Sequence, residues 1–300
     1  MSKFETAIIL VNYNGTADTL ECIESLLLHL KNEFHIVVVD NQSKEDSYLA
    51  LAKGLEKLNS RKVSLIRTKT NGGFAFGNNQ GIKYAREKFK SKYYWLLNND
   101  TIIKENILDS LILFYQSKKS VGILGAKLKM YEKPKLIQAI GGTFKKYQAK
   151  VVQIGFNQVD QDQFGDSAIR VDFVVGASMF VSHNFIEEVG YMSEEYFLYF
   201  EELDWAIRGS LKGFDTYTLP HLEVYHKQGK STGNKAGVSL ALEPMYYQFR
   251  NLTLIYKKYF SSLTLISIVR VFIRAFKYTL QYKKPFHKIA LKAVLNKPFN

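Results

Sequence analysis

The sequence predicts an α/β fold, a mostly parallel sheet flanked by helices and followed by a C-terminal basic amphipathic helical tail. Three observations carry that reading. Short apolar, β-branched runs alternate with helix-period segments through the first hundred residues. Four of these runs stop in clusters of Asn, Asp, Gly or Ser, the residue types of strand-end loops. The charge is also lopsided. Of the 41 Lys and Arg, ten lie in residues 251–300, where there is no Asp or Glu; the first 250 residues keep 31 basic against 28 acidic side chains, a net of +3.

Composition narrows the class. At 46% hydrophobic and 23% charged, with five prolines in 300 residues, the chain suits one large domain with an appendage and not a disordered polymer. No run approaches the roughly 18 apolar residues of a membrane-spanning helix. Met1-Ser2-Lys3-Phe4-Glu5 has no secretory h-region, and the single Cys22 excludes an internal disulfide and a cysteine-based zinc site. A cytoplasmic chain of a reducing compartment is expected.

Each element has its own signal. Residues 7–11 form an apolar strand ending at Asn12-Tyr13-Asn14-Gly15, and Asp18 with Glu21 reads as a capping box opening a helix to Leu30. Ile36-Val37-Val38-Val39 is the second strand and stops at Asp40-Asn41-Gln42-Ser43; a helix covers residues 47–58. Residues 63–67 run into Asn71-Gly72-Gly73-Phe74-Ala75-Phe76-Gly77-Asn78-Asn79, with a helix to Phe89. The fourth strand, residues 93–97, ends at Asn98-Asn99-Asp100. Strand ends carrying such clusters on one edge of a parallel sheet form a nucleotide site.

The second half has another texture. Residues 121–130 read as a strand, 141–163 as irregular antiparallel structure, and 171–175 with 179–181 as strand flanking Gly176-Ala177-Ser178. Asn184 with Glu187 caps a short helix, and Glu201 opens another that closes at Gly213. The predicted core domain spans 1–250, with a nucleotide-binding half to about 105 and an acceptor half from about 106; residues 251–300 form the tail. There Ser267, Arg270, Arg274, Lys277, Gln281, Lys284 and Lys288 recur at steps of three or four among apolar residues, an amphipathic helix interrupted by Pro285. Its apolar side packs on the core, or it lies on an anionic membrane at the inner face of the plasma membrane. Basic residues gathered at one end, without aromatics in a motif, argue against nucleic acid as partner.

Five motifs in order, Val11-Asn12-Tyr13-Asn14-Gly15, Asp40-Asn41-Gln42-Ser43, Asn71 to Gly81, Leu96-Leu97-Asn98-Asn99-Asp100-Thr101 and Phe200-Glu201-Glu202-Leu203-Asp204-Trp205, closely resemble the family 2 glycosyltransferases, in their rhamnosyltransferase-like branch. The resemblance covers about residues 7–260. It implies a GT-A (Rossmann-like) fold, a nucleotide-diphospho-sugar donor linked through dTDP or UDP, a divalent cation (Mg²⁺ or Mn²⁺), and inversion at the anomeric carbon. The expected acceptor is a glycan or lipid-linked glycan.

Residue roles follow the same resemblance. Val11, Asn12 and Tyr13 hold base and ribose, Asp40 accepts from a pyrimidine N3–H, and Asn41, Ser43, Asn71, Gly72, Phe76 and Asn79 complete the nucleotide-sugar site. Asn98, Asn99 and Asp100 stand where many relatives have Asp-x-Asp, so a single carboxylate, Asp100, is the expected metal ligand, with His226 as the second. Glu202 is the expected general base, with Asp204 as runner-up; Tyr199, Trp205, Gly176 and Ala177 meet the acceptor. Arg250-Asn251 resembles a pair in the family that either meets phosphate or caps the core. The rivals are a non-catalytic glycan or nucleic-acid binder and a dinucleotide-binding Rossmann enzyme. Asp100 and Glu202 argue against the first, and the absence of G-x-G-x-x-G after the first strand argues against the second.

Overall fold

The computed structural model describes residues 5–31, 33–227 and 241–299, so the reading of Met1-Ser2-Lys3-Phe4 lies outside the described residues. Strand β1 (Thr6–Asn12) is apolar from Ala7 to Val11 because both of its faces are covered. Ile8 and Leu10 enter one apolar cluster with Cys22, Ile23 and Leu26 of helix α1 (Thr16–His29). Ala7 and Ile9 enter a second, on the opposite face, with Ala75, Ile82 and Ala85. The chain continues through β2 (Phe34–Asp40), α2 (Glu45–Leu58), β3 (Val63–Arg67), α3 (Gly73–Phe89) and β4 (Tyr93–Asn98). Strands β4, β1, β2 and β3 are neighbours, all parallel. Register places Asn12 beside Asp40 and Val11 beside Asn98, so the polar strand ends share one edge.

Beyond β4 come the short β5 (Thr101–Ile102), α4 (Leu108–Ser117), β6 (Val121–Met130), β7 (Lys133–Ala139), the hairpin β8 (Gly141–Lys145) with β9 (Lys150–Ile154), and β10 (Ile169–Arg170). β11 (Ser178–Ser182) runs antiparallel between β4 and β6. Helices α5 (His183–Val189) and α6 (Glu201–Leu211) precede β12 (Asp215–His226), which pairs parallel to β6 and carries β10 on its other side. Its last residues also pair with β5, which brings His226 opposite Thr101. Three local expectations shift. α1 begins at Thr16 with Gly15 as N-cap, leaving Asp18 in the first turn. α5 is capped by Ser182, whose Oγ accepts from Phe185 N at 3.0 Å, not by Asn184. Residues 171–175 lie outside the named strands, Phe173 bridging only to Gly142.

The last three helices, α7 (Leu242–Tyr259), α8 (Thr264–Tyr282) and α9 (Phe286–Val294), form a third apolar cluster with one another. The expected boundary at residue 250 falls inside α7, which belongs equally to the body of the protein: Phe144 packs edge-on against Tyr256, 5.7 Å between centroids. Pro285 does separate two helices. Of the two expected placements of α8, the one with its apolar side packed on the core does not hold. Small residues, Ser267, Val271 and Ala275, face inward, while most of its large apolar side chains face outward.

Candidate functional site

The site grows from the polar strand ends, and Asn12 is their hub. It has no exposed surface. Its Nδ2 donates to Asp40 Oδ2 (2.9 Å) and Ser43 Oγ (3.1 Å), and its Oδ1 accepts from Gly15 N (3.1 Å) and Thr19 Oγ1 (2.9 Å). Thr19 also receives Asn99 Nδ2 at 2.8 Å, so the ends of β1, β2 and β4 and the start of α1 are knitted together. Asn12→Ala is expected to cost roughly 2–3 kcal/mol, because it strands several buried polar groups at once. Chemical denaturation measures it.

Asp40 is part of that hub. Besides Asn12, it accepts from Ser43 N (3.0 Å) and faces Arg67 Nε at 3.5 Å, and the carboxylate has no exposed surface. The group turns inward and shapes the turn. Tyr13, by contrast, is 48% exposed at the tip of β1. Asn41 Nδ2 donates to Asn71 Oδ1 (2.9 Å) and Gly73 O (3.0 Å), holding the loop before α3. Asn79 is corrected. It is buried in the second turn of α3 and spent on Met192 (Nδ2 to O, 2.9 Å; N to Oδ1, 3.2 Å) and Glu194 (2.8 Å), away from the strand-end edge.

Asp100 and His226 meet as expected. Asp100 Oδ1 lies 3.0 Å from His226 Nε2, and Asn98 Nδ2 is 3.3 Å from the same nitrogen. Burial pushes the Asp100 carboxyl up, but the His226 charge and hydrogen bond outweigh it and hold the group below its ordinary value. His226 Nδ1 is 2.9 Å from Gln138 Oε1, a buried partner that orients the ring with Nε2 toward Asp100. Carboxylate oxygen plus imidazole nitrogen is a donor set that suits Mn²⁺ and tolerates Mg²⁺. Among the described residues no third His, Cys, Asp or Glu joins them. Asp100, His226 and the Asn98 amide are the residues that would hold a cation.

Two contacts that the sequence did not signal fix this pair. Lys227 N donates to Asp100 O (3.0 Å), and Lys227 Nζ bridges Asp18 (2.7 Å) and Glu21 (2.5 Å) of α1. The end of β12 is therefore tied to α1 beside the Asn12 hub.

The acidic helix α6 lies downstream of an unusual segment. Tyr199 and Phe200, neither a glycine, both sit in the left-handed region (φ 71° and 75°), a conformation costing of order 1–2 kcal/mol each. Asn251 of α7 holds it. Its Nδ2 donates to Leu198 O (2.9 Å) and Tyr199 O (2.8 Å), while Arg250 donates to Glu195 O (3.0 Å) and to Asn251 Oδ1 (2.9 Å). Of the two readings of this pair, the structure favours the cap. On the other side, Phe74 N donates to Phe197 O (3.1 Å); Gly73 (φ 87°) permits this approach, since a Cβ there would sit 2.1 Å from that oxygen. The loop before α3 and the segment before α6 are thus joined. If Asn251 serves position and not only folding, Asn251→Ala lowers kcat ten- to a hundredfold while donor KM changes less than about threefold. Steady-state kinetics with a melting curve as control separates the two.

Glu201 is buried and its Oε2 has no hydrogen-bond partner; Glu202 is half-buried. Burial, reinforced by the neighbouring Glu202, pushes Glu201 well above the carboxylate range, and burial pushes Glu202 up to about 7. Asp204 differs. Fully buried, it accepts from Tyr196 (3.1 Å), Arg208 (2.7 Å), Lys258 (2.9 Å) and Tyr259 (2.6 Å), which together outweigh burial and keep it ionised below its ordinary value. It is a structural anchor, and its place as runner-up base is withdrawn. Trp205 and Ala177 are corrected as well. Trp205 has no exposed surface, packs edge-on against Phe185 and donates to Gly190 O (2.9 Å). Ala177 is in the core under β4, its carbonyl accepting from Asn98 N. Tyr199 and Gly176 keep partial exposure.

The sequence model described as glycosyl transferase family 2 matches residues 7–167. The chain is similar to a hexosyltransferase of low-salt glycan biosynthesis, Agl10 of Haloferax volcanii, at 23% identity over 75% of this chain and 67% of that protein. It is also similar to the dTDP-rhamnosyl transferase RfbF of Shigella flexneri, 24% identical over 83% of this chain and 79% of that one. Among solved structures, the mannosyltransferase PcManGT from Pyrobaculum calidifontis, in complex with GDP-Man and Mn²⁺, shares the fold with a TM-score of 0.62 at 11% identity, over 99% and 89% of the two chains. S. aureus TarS 1–349 in complex with UDP-GlcNAc gives 0.58 at 14% identity, over 99% and 93%.

Proposed function

The chain belongs to glycosyl transferase family 2, nucleotide-sugar-dependent glycosyltransferases, and from that premise we propose that it transfers a hexose with inversion by one direct displacement. The observation that carries the reading is the Asp100–His226 contact at the carboxyl edge of the sheet, with the segment before the Glu201-Glu202 helix bonded to the loop before α3. Glu202 takes the proton of an acceptor hydroxyl. That oxygen attacks the anomeric carbon, and the bond from this carbon to the donor diphosphate breaks on the opposite face. Asp100 and His226 would hold a divalent cation, which would supply Lewis-acid stabilisation of the departing diphosphate. Asp100 and His226 hold that end of the donor, the Val11–Tyr13 backbone and the Tyr13 ring hold the nucleoside, and Tyr199 with Gly176 borders the acceptor.

The proposed donor is dTDP-L-rhamnose, supported by the motif spellings and by the likeness to a dTDP-rhamnosyl transferase; UDP-galactose and UDP-N-acetylglucosamine are the alternatives. The proposed acceptor is a lipid-linked or polysaccharide glycan, consistent with the likeness to a glycan-biosynthesis hexosyltransferase. The test is nucleoside diphosphate release from dTDP-rhamnose, UDP-glucose, UDP-galactose and UDP-N-acetylglucosamine with Mn²⁺ or Mg²⁺. Fastest release from dTDP-rhamnose supports the donor, and faster release from a UDP-sugar replaces it. If calorimetry shows metal-dependent binding of neither dTDP nor UDP, the proposal falls.

A further inference from the structure

The outward face of α8 is the largest feature the transfer chemistry leaves unused. Leu265, Val269, Phe272, Ile273, Phe276 and Leu280 are 37–71% exposed and recur at helical spacing, so they form one continuous apolar stripe down the helix. Exposure on this scale is a liability in water unless something covers it. Along one flank of the stripe run Arg270, Arg274 and Lys277, and beyond the helix the exposed Lys283, Lys284 and Lys288 extend the same sign. The opposite flank turns into the buried side made of Ser267, Val271 and Ala275.

We propose that this stripe is a membrane-docking surface that enters the headgroup region of an anionic bilayer, with α8 lying in the plane of the interface. Apolar side chains bordered by cations match that environment, the stripe reaching the acyl boundary and the flank meeting lipid phosphates. A second copy of the chain fits less well. Joining two such faces would bring together two segments that each hold ten Lys and Arg and no acid. Spanning is also excluded for this helix, since no helix among the described residues is long and apolar enough to cross a membrane.

The surface is coupled to the acceptor side of the site. Arg274 donates to Gln248 Oε1 (3.1 Å), and Gln248 in turn hydrogen-bonds Tyr199, two residues before Glu201. A glycan carried on a lipid would be presented on the side where the protein sits on that lipid. This consequence, unlike the docking itself, rests on the transferase reading.

The experiment is co-sedimentation of the full chain with phosphatidylcholine vesicles, with and without about one-third phosphatidylglycerol. Binding to the anionic vesicles is expected, weakened at least tenfold, or about 1.4 kcal/mol, by Phe272→Ser with Phe276→Ser. Lys277→Glu with Lys284→Glu, which changes only exposed side chains, is expected to weaken it at low salt and much less at high salt. Circular dichroism checks that each variant folds, and donor hydrolysis in vesicle-free buffer is expected to stay within about twofold. Absence of binding to anionic vesicles, or binding equal in the parent and the serine variant, overturns the proposal. So does a dimer in sedimentation velocity that the serine variant dissolves, which would make a second copy the occupant. Vesicle binding without metal-dependent binding of dTDP or UDP would leave the surface standing and remove the transferase reading instead.

Discussion

Glu202→Gln is expected to lower kcat by about 10³-fold, within the range that a positioned general base contributes, while dTDP or UDP affinity stays within about threefold. The environment of the acidic pair gives the effect a pH signature. Burial, reinforced by the neighbouring Glu202, raises Glu201 well above its ordinary value, so the adjacent pair resists carrying two negative charges at once. Below about 7 Glu202 is protonated and accepts nothing; kcat/KM therefore rises about tenfold per unit at acid pH and levels off above 7. The Gln variant loses that acid limb. A parent profile flat from pH 5 to 8 would remove Glu202 from the role. Stability runs the other way. Because the folded value lies above the unfolded one, folding binds a proton, and the contribution is fully favourable only below the ordinary Glu value. It is lost as pH rises toward 7. Glu202→Gln is accordingly expected to be more stable than the parent above pH 7, read from melting curves across pH.

Asp100→Asn is the second large effect. The substitution keeps size and most hydrogen bonding but removes the one carboxylate in Asn98-Asn99-Asp100, so the negative charge that would face a cation is lost. Turnover is expected to fall by about 10²–10³-fold, and the Mn²⁺ concentration for half-maximal rate should rise at least tenfold. Gln138→Leu makes the paired test. It leaves Asp100 and His226 in place but frees the imidazole ring, with an expected loss of roughly tenfold in metal affinity. Manganese titration by electron paramagnetic resonance reads both without depending on turnover. Unchanged Mn²⁺ affinity in Asp100→Asn would separate this residue from metal binding.

Much of this architecture could be read in advance, because it depends on local pattern. The parallel strands are fully buried and announce themselves as uninterrupted apolar runs; their ends announce themselves as turn residues. The pairing of Asp100 with His226 was implied by the family resemblance, although 126 residues separate them in the chain. What the sequence could not display is the direction of a side chain within its motif. Asp40, Asn79, Asp204 and Trp205 all belong to motifs whose backbone borders the site, yet each side chain turns inward to satisfy a buried partner. Gln138 escaped for the complementary reason, and Asn251 in part. Gln138 sits in a strand with no motif of its own and acts through one long-range hydrogen bond, whereas Asn251 was flagged with Arg250 but its partners, Leu198 O and Tyr199 O, were not. The periodicity of α8 was visible, but its facing was not. Small residues formed the seam against its neighbours, reversing the usual assumption that the bulkiest apolar side is the buried one.

The anchoring of Asp204 bears on the order in which the chain can mature. Its carboxylate has no exposed surface, and of its four partners Lys258 and Tyr259 lie more than fifty residues downstream. A nascent chain that has emerged only through β12 must bury this charge with Arg208 and Tyr196 alone or leave it in water, and burial without full pairing is costly. The acidic helix therefore settles only when α7 arrives, and the same arrival delivers Asn251 to the strained residues ahead of it. A product that stops before α7 is left with a sheet able to form and an acidic helix not yet seated. Seating of the acidic helix and docking of α7 are in this way one event.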